Sequence, residues 1–357
     1  GTYQLEGSSK ATVINEGNLL AAKGGYIALI AADVSNQGYI SAPLGNVTLA
    51  GGGAVDVGLA GNGFVDIRVS RGADLALVEN SAWIQADGGH VLLTVLGTTN
   101  LRPSAVNNTG TIQAQTIDNR NGTIRLMGDM QTGSIHVGGK LDASAPQGGD
   151  GGFIETSASH VKVADNARVT SQSILGKSGM WLIDPNDFVV AAGRDISGAT
   201  LSANLVTTSV KLLSSSGAVD GNGDVLVKEA VSWTASGAPT TLTLNAARDV
   251  EITAAITATK GNVVLIAGRD VNVREALTTT NGGISSTAAH DINIVKDATH
   301  TLTAATTTDG SMSWVAGNNF NVDMAALNTT RGDAVFAAGT DGKGLGSVTF
   351  SVGTPKT

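Results

Sequence analysis

A repeat of about 21 residues, with apolar side chains at alternate positions, constrains this chain more than any other feature of its sequence. Three copies are LNAARDVEITAA (Leu244–Ala255), IAGRDVNVREAL (Ile266–Leu277) and TAAHDINIVKDA (Thr287–Ala298). Asp249, Asp270 and Asp291 follow one another at intervals of 21 residues, and Asn319 comes 28 residues later. Because the apolar positions have a period of two, each copy predicts a β-strand with one buried face.

The N-terminal half repeats with a similar period but a different motif. VINEGNLLAAKGGYIALIA, which starts at Val13, returns as VSNQGYISAPLGNVTLAGG from Val34, and Asn15 then matches Asn36. Periods near 20 residues with several short strands are typical of solenoids, in which stacked coils bury what one coil alone cannot. The period of two excludes helical repeats. The sequence therefore predicts an all-β fold, a right-handed parallel β-helix with coils of about 21 residues and occasional insertions.

The two repeat types predict two portions of this β-helix, residues 1–175 and 176–357. We expect their junction near WLIDPNDFVV (Trp181–Val190), where Pro185 cannot donate a ladder hydrogen bond. Three segments break the period and are expected outside the regular coils: Asp56–Leu77, Thr98–Val106 and Gly198–Gly237.

Turns and corners of the coils carry the conspicuous polar residues. TKGN, TNGG, TDGS and TRGD each place Gly third, where a positive φ is least costly. The recurring Arg-Asp pair predicts a structural ladder at one corner, in which arginines separate carboxylates that would otherwise repel each other. Its expected members are Arg248, Asp249, Arg269, Asp270, Asp291 and Asn319.

Composition narrows the class of protein. The 357 residues include 47 Gly and no Cys, and only 15% are charged, which favours short strands and tight turns over disorder. The lack of Cys excludes disulfides and thiolate metal sites. A net charge of −8 argues against a nucleic-acid partner. No run of about 18 apolar residues occurs, so we expect no membrane span.

Two short motifs are candidate sites. The tripeptide Arg331, Gly332, Asp333 is a candidate cell-attachment motif, although its polar-Gly-polar pattern also fits the repeated turn. Asn-x-Ser/Thr sequons make four residues candidate glycosylation acceptors: Asn46, Asn107, Asn121 and Asn328.

Catalytic and metal motifs are weak. The segment DGNGD (Asp220–Asp224) resembles the start of a calcium loop, but Val225 and Val231 stand where that loop needs Gly and Glu. Asp residues that obey the repeat are better explained by structure than by catalysis. We expect no cofactor, no metal and no enzymatic activity, and a polysaccharide-active β-helix enzyme is the less favoured alternative.

Several segments carry a family resemblance. The repeats from Val13 to Gly52, GGFIETSASHVKVADNARVTS (Gly151–Ser171), WLIDPNDFVV and GNGDVLVKEAVSW (Gly221–Trp233) resemble two-partner-secretion exoproteins, the filamentous haemagglutinin-like adhesins. The resemblance begins inside the secretion domain of that family, so we expect a longer parent chain.

The resemblance implies both an export route and a role. The chain would be a parallel β-helix, exported by an outer-membrane β-barrel partner transporter and secreted or held at the bacterial cell surface. It would mediate attachment, aggregation or biofilm formation by binding a receptor or glycan on host or bacterial surfaces.

A structural role is the alternative. Uncapped sheet edges pair with neighbours, so the chain could be the repeating subunit of an extracellular filament, a homo-polymer. It would assemble by end-to-end stacking of coils or by strand donation from the tails, Gly1–Lys10 and Leu345–Thr357.

Overall fold

Short parallel strands joined by tight turns make up nearly all of the described structure. The computed structural model describes residues 2–59, 65–73, 76–97, 105–215, 221–295, 304–323, 326–342 and 346–351. The chain divides into two compact units, Gly1–Pro185 and Asn186–Thr357, and this division lies within Trp181–Val190. Each unit is a parallel β-helix, so the predicted fold class is confirmed.

Each coil of unit 1 adds one strand to each of three parallel sheets. The first sheet contains Thr12–Asn15, Asp33–Asn36, Leu77–Asn80, Ala105–Asn108, Ser134–Val137 and His160–Val163. The second contains Asn18–Leu20, Tyr39–Ser41, Trp83–Gln85, Thr111–Gln113, Lys140–Asp142 and Arg168–Thr170. The third contains Tyr26–Ala31, Asn46–Gly51, His90–Val95, Thr123–Met127, Phe153–Ser157 and Met180–Asp184.

Unit 2 has the same arrangement of three parallel sheets. Its first sheet contains Phe188–Val190, Val225–Val227, Val250–Ile252, Val271–Val273, Ile292–Val295, Phe320–Asp323 and Val348–Ser351. Its second contains Val231–Thr234, Ile256–Thr259, Leu277–Thr280, Ala304–Thr308 and Ala326–Thr330. Its third contains Ser209–Leu213, Thr240–Ala246, Gly261–Ala267, Ile284–Ala288, Met312–Ala316 and Ala334–Ala337.

Insertions account for the breaks in the period. In unit 1, Ala54–Leu59 and Val65–Arg71 leave the coil and form an antiparallel sheet with Thr2–Glu6. Val34 therefore pairs directly with Val78 although 44 residues separate them. The described part of the expected extra-coil segment Asp56–Leu77 agrees with this arrangement, except that Leu77 begins a strand of the first sheet; residues 60–64 and 74–75 lie outside the described residues. Of the predicted insertion Thr98–Val106, residues 98–104 lie outside the described residues.

The expectation for Gly198–Gly237 was only partly right. An α-helix, Gly198–Leu205, begins after Ser197, whose hydroxyl accepts from the Thr200 main-chain N–H. The same stretch also supplies strands of all three sheets, among them Ser209–Leu213 and Val225–Val227. Its Ser- and Thr-rich composition hid the period because these strands bury only two apolar positions each.

In-register pairing stacks side chains of similar chemistry on one another inside unit 1. In the second sheet, apolar side chains at one register position pair strand by strand and are fully or nearly fully buried: Ile40, Ile84, Ile112, Leu141 and Val169. The neighbouring positions in each strand face outward. Side chains alternate between the two faces of a strand. The middle residues of these three-residue strands therefore form one apolar column, and the residues on either side of them form two outer rows.

A ladder of asparagines explains the Val-x-Asn-x-Gly pattern of unit 1. The side-chain amide of Asn15 donates to Asn36, Asn36 donates to Asn80, and Asn80 donates to Asn108, each over 2.8 Å. All four side chains are buried. The ladder ends where the Asn108 amide donates to the main-chain oxygen of Gly138. Stacking thus satisfies polar groups that would be costly to bury alone.

Replacing the middle of this ladder should be costly. Asn80→Ala leaves the Asn36 amide and the Asn108 carbonyl without their ladder partner, so we expect a loss of about 3 kcal/mol in unfolding free energy. The matched control is Asn107→Ala, in the neighbouring coil, where the half-buried amide donates to Glu79. Urea titration followed by far-ultraviolet circular dichroism measures both. Equal losses in the two variants would contradict the ladder's importance.

The turn glycines do not have the conformation expected of them. The positive φ belongs to the residue before each glycine: Lys260, Asn281, Asp309 and Arg331, with φ of 55°, 54°, 54° and 58°. Close packing of coils explains why glycine follows. A Cβ on Gly282 would lie 2.0 Å from the carbonyl oxygen of Gly261. The prediction of positive φ at these glycines was therefore wrong. Glycine is required at these positions because the backbones of neighbouring coils approach each other closely.

Gly282→Ala tests this explanation. We expect a loss of about 3 kcal/mol in unfolding free energy, because the clashing atom is backbone and cannot move without separating two coils. Gly17→Ala is the control, since no heavy atom lies within 4 Å of its added Cβ. That change should be neutral or stabilise by up to about 1 kcal/mol. A neutral Gly282→Ala, measured by urea titration, would refute the explanation.

Candidate functional site

The corner of unit 2 holds a ladder of alternating cations and anions, here called the Arg-Asp ladder. It starts at Asp187, whose carboxylate accepts main-chain N–H groups of Asn222, Gly223 and Asp224 over 2.7 to 3.1 Å. This turn contains the part of the DGNGD segment that the structure describes. A carboxylate of the chain itself therefore occupies the position that a loop-bound ligand would take.

Each carboxylate of the ladder binds the next coil in the same way. Asp249 accepts the side chain of Arg269, with 2.8 Å from Nε, and the main-chain N–H of Asp270 over 3.2 Å. Asp224 accepts Arg248 and the Asp249 N–H in the same manner. The guanidinium groups thus lie between successive carboxylates and offset their repulsion.

Histidine and asparagine take over the cation position in later coils. His290 Nδ1 lies 2.9 Å from an Asp270 oxygen. Asp291 accepts the Asn318 amide over 2.9 Å and the Asn319 N–H over 2.8 Å. The sequence-based set thus meets at one corner, and it lacked Asp187, Asp224, His290 and Asn318. The repeat aligns the pair His290-Asp291 with Arg269-Asp270, so the sequence could have indicated His290 as a member of the ladder.

The three groups Asp270, His290 and Asp291 offer ligand atoms within 4.8 Å of one another. The hydrogen bond from His290 to Asp270, together with the charge of Asp291, raises the imidazole's pKa above 6.5. When protonated, the imidazole thus serves as the counter-ion that arginine provides in the two coils before it.

This ladder predicts a pH dependence of stability. A His pKa that is raised in the folded state gives stability that is complete below the unfolded value of about 6.5 and is lost as pH rises through the folded pKa. His290→Gln should therefore lower the urea midpoint more at pH 6 than at about pH 8, relative to the parent chain. His290→Arg should keep the midpoint high across the same range.

His160→Gln serves as the control, because His160 is also exposed. Comparing each variant with the parent chain at the same pH removes the contribution of the other histidines to stability. His90 contributes with the opposite sign, because burial and the charge of Arg125 lower its pKa. A His290→Gln difference that does not change with pH would contradict the counter-ion role.

The Arg-Gly-Asp tripeptide lies in the turn between Ala326–Thr330 and Ala334–Ala337. The Arg331 guanidinium, although largely exposed, forms an ion pair with Asp309 of the preceding coil, with Nη2 at 2.6 Å. The Asp333 N–H donates to the Ser311 hydroxyl. The tripeptide has structural contacts, and cell attachment through it stays a prediction.

The four sequon asparagines differ in exposure. Asn121 and Asn328 are exposed, whereas Asn46 and Asn107 are half-buried, and the Asn107 amide is bonded to Glu79. Modification would meet least hindrance at the two exposed positions, and it stays a prediction at all four.

The outer face of the second sheet in unit 1 carries a surface that the sequence analysis missed. One register position pairs five side chains on successive strands: Tyr39, Trp83, Thr111, Lys140 and Arg168. The row lies beside the buried column that contains Ile84. It thus consists of two aromatic residues, a threonine and two cations, all facing away from the core.

A groove of about 750 Å³ runs along this row, and we call it the Trp83 groove. Small residues from the preceding turns also line it: Gly38, Ala82, Gly110 and Gly139. They leave space in front of the aromatic side chains. The lining includes Lys140 and Arg168 and no carboxylate. The lining side chains that carry charge are therefore cationic, and one of them, Lys140, is paired with Asp142 behind the row.

Hydrogen bonds hold the row in place. The Tyr39 hydroxyl donates to Gln85 over 2.7 Å, and Gln85 donates to Asp87 over 2.6 Å. Lys140 lies 2.9 Å from Asp142. Burial alone would raise the pKa of Asp142, but hydrogen bonds from Ser144 and Lys140 outweigh it and lower that pKa. Asp142 thus stays ionised and anchors the lysine.

A second recess in unit 1, of about 700 Å³, lies between the antiparallel sheet and the third sheet. Its polar lining includes Arg68, His90 and Arg125, and it contains no carboxylate. The pair of carboxylates that glycoside hydrolysis needs is therefore found in neither of these two recesses.

Comparisons with known proteins leave the family open. No protein-family model matches the chain, and a search of curated proteins finds no match. Among the residues that the structure describes, no helix has the length and apolar character needed to cross a membrane.

Proposed function

We propose that this chain is an attachment module of a secreted or surface-held bacterial exoprotein, of the filamentous haemagglutinin-like type that its motifs resemble. It binds a surface through side chains on the outer faces of its coils. Export through an outer-membrane β-barrel partner transporter is part of this proposal, and it rests on the resemblance alone.

The observation that carries the proposal is the exposed row of the Trp83 groove. Trp83 is 46% exposed, whereas Trp181 and Trp314 are fully buried. Large aromatic side chains in water are expected at binding surfaces, because burying them against a partner is favourable. The coil beneath the row is closely packed, so the row needs little ordering when a partner binds.

Two features favour binding over catalysis. The groove is an open, elongated surface, and its lining contains no carboxylate that could act as general acid or base. The carboxylates of the Arg-Asp ladder are bonded to cations and main-chain N–H groups of neighbouring coils. They hold coils together, which supports a structural role for them.

Attachment can be measured with the full chain labelled with a fluorophore. We expect saturable binding to bacterial or epithelial cells that excess unlabelled chain competes away, because a defined site has a limited number of partners. A protein of similar size and net charge serves as the control. Binding no greater than that of the control, or binding without competition, would refute attachment. Long fibres in electron micrographs of the same sample would favour the filament alternative instead.

A further inference from the structure

We infer that the Trp83 groove binds a carboxylate-bearing polysaccharide, with its sugar rings on Tyr39 and Trp83 and its carboxylates at Lys140 and Arg168. The inference deepens the proposed function and rests on it, since attachment would then occur through this groove. A polysaccharide of uronic-acid type has the required chemistry.

The aromatic end of the row fits the apolar face of a sugar ring. Tyr39 and Trp83 occupy paired positions on adjacent strands, and Trp83 is about half exposed. Aromatic rings with a polar edge bind ligands that combine apolar faces with hydroxyl groups. Pyranose rings have this character, because their C–H groups lie on one face and their hydroxyls point outward.

Polar groups beside the rings suit sugar hydroxyls. Gln85 accepts from the Tyr39 hydroxyl, and the Gln113 amide donates to Asp87 over 2.9 Å. This network runs in the next outer row of the same sheet, two residues along each strand. Amide and carboxylate groups fixed in this way need no reordering when hydroxyls bind to them.

The cationic end of the row indicates that the ligand is negatively charged. Lys140 and Arg168 are exposed and occupy neighbouring positions of the row. Arg168 Nη1 donates to the main-chain oxygens of Asp165 and Ala167 over 3.3 and 3.0 Å, which holds the guanidinium at the groove edge. Guanidinium groups bind carboxylates in two-point contacts. A neutral glycan offers no carboxylate to either cation.

The spacing of the row favours a chain over a single sugar. Strands in a sheet lie about 4.8 Å apart, so the four steps from Tyr39 to Arg168 span about 19 Å. One step is close to the length of one pyranose unit in an extended polysaccharide. Successive sugars can therefore meet successive side chains of the row.

Tryptophan fluorescence reports directly on this groove. The chain has four tryptophans, and Trp181, Trp314 and Trp233 are at most 4% exposed. Quenching by acrylamide therefore falls mainly on Trp83. We expect a galacturonate tetrasaccharide to protect the full chain from this quenching. Maltotetraose, which is neutral and of the same length, should protect much less. Added salt should weaken the galacturonate effect, because exposed charges are screened.

Variants locate the site. Measured by calorimetry with the galacturonate tetrasaccharide, Trp83→Ala should weaken binding about ten-fold, and Arg168→Gln should weaken it about five-fold. Tyr26→Ala is the aromatic control, since Tyr26 is exposed on the third sheet of the same unit. Lys162→Gln is the charge control on the first sheet. Neither control should change affinity, and circular dichroism checks that every variant folds.

The outcomes separate this inference from the proposed function. Equal binding of the two tetrasaccharides would overturn the carboxylate requirement, and unchanged binding in Trp83→Ala would overturn the site. If the labelled chain attaches to cells but neither sugar protects Trp83, the groove inference fails while attachment stands. Binding of galacturonate without attachment to cells would overturn the proposed function and leave the groove intact.

Discussion

In-register parallel pairing is the constraint on which every other feature of this protein depends. Each residue of a coil lies directly above its counterpart in the next coil, at about 4.8 Å. Apolar residues therefore form columns, and a polar residue at an inward position is buried beside its own copies. Such a residue is stable only where the copies can satisfy one another.

The two units meet this requirement with different chemistry. Unit 1 uses a neutral ladder in which each Asn donates to the next, so the ladder itself buries no charge. Unit 2 uses charges, which need alternate signs, and Asp249 and Arg269 supply them at the corner where solvent is near. The same pairing also aligns outward residues, which is how Tyr39, Trp83 and Arg168 come to share one groove although they are far apart in the sequence.

The repeats predict the fold well because period and register are properties of the sequence. Asp249 aligns with Asp270, and the Arg-Asp ladder was predicted from that repeat. Asn15 also aligns with Asn36, but the asparagine ladder was found only in the structure. The groove could not be predicted, because insertions between Tyr39 and Trp83 hide that they are stacked. The turn glycines were misread because a sequence carries no information on how closely Gly261 approaches Gly282. The helix after Ser197 was missed because its short sequence lacks a clear apolar period.

A distance measurement in unit 1 tests the stacking most directly. The chain has no Cys, so spin labels can be placed at Ile14→Cys and Lys162→Cys on outward positions of the first sheet. These residues lie on strands five steps apart, which predicts a Cα separation of about 24 Å. The 43 residues between Val34 and Val78 could instead be expected to hold an additional coil. A narrow distribution consistent with about 24 Å supports the account, and one near 29 Å, or a broad one, would contradict it.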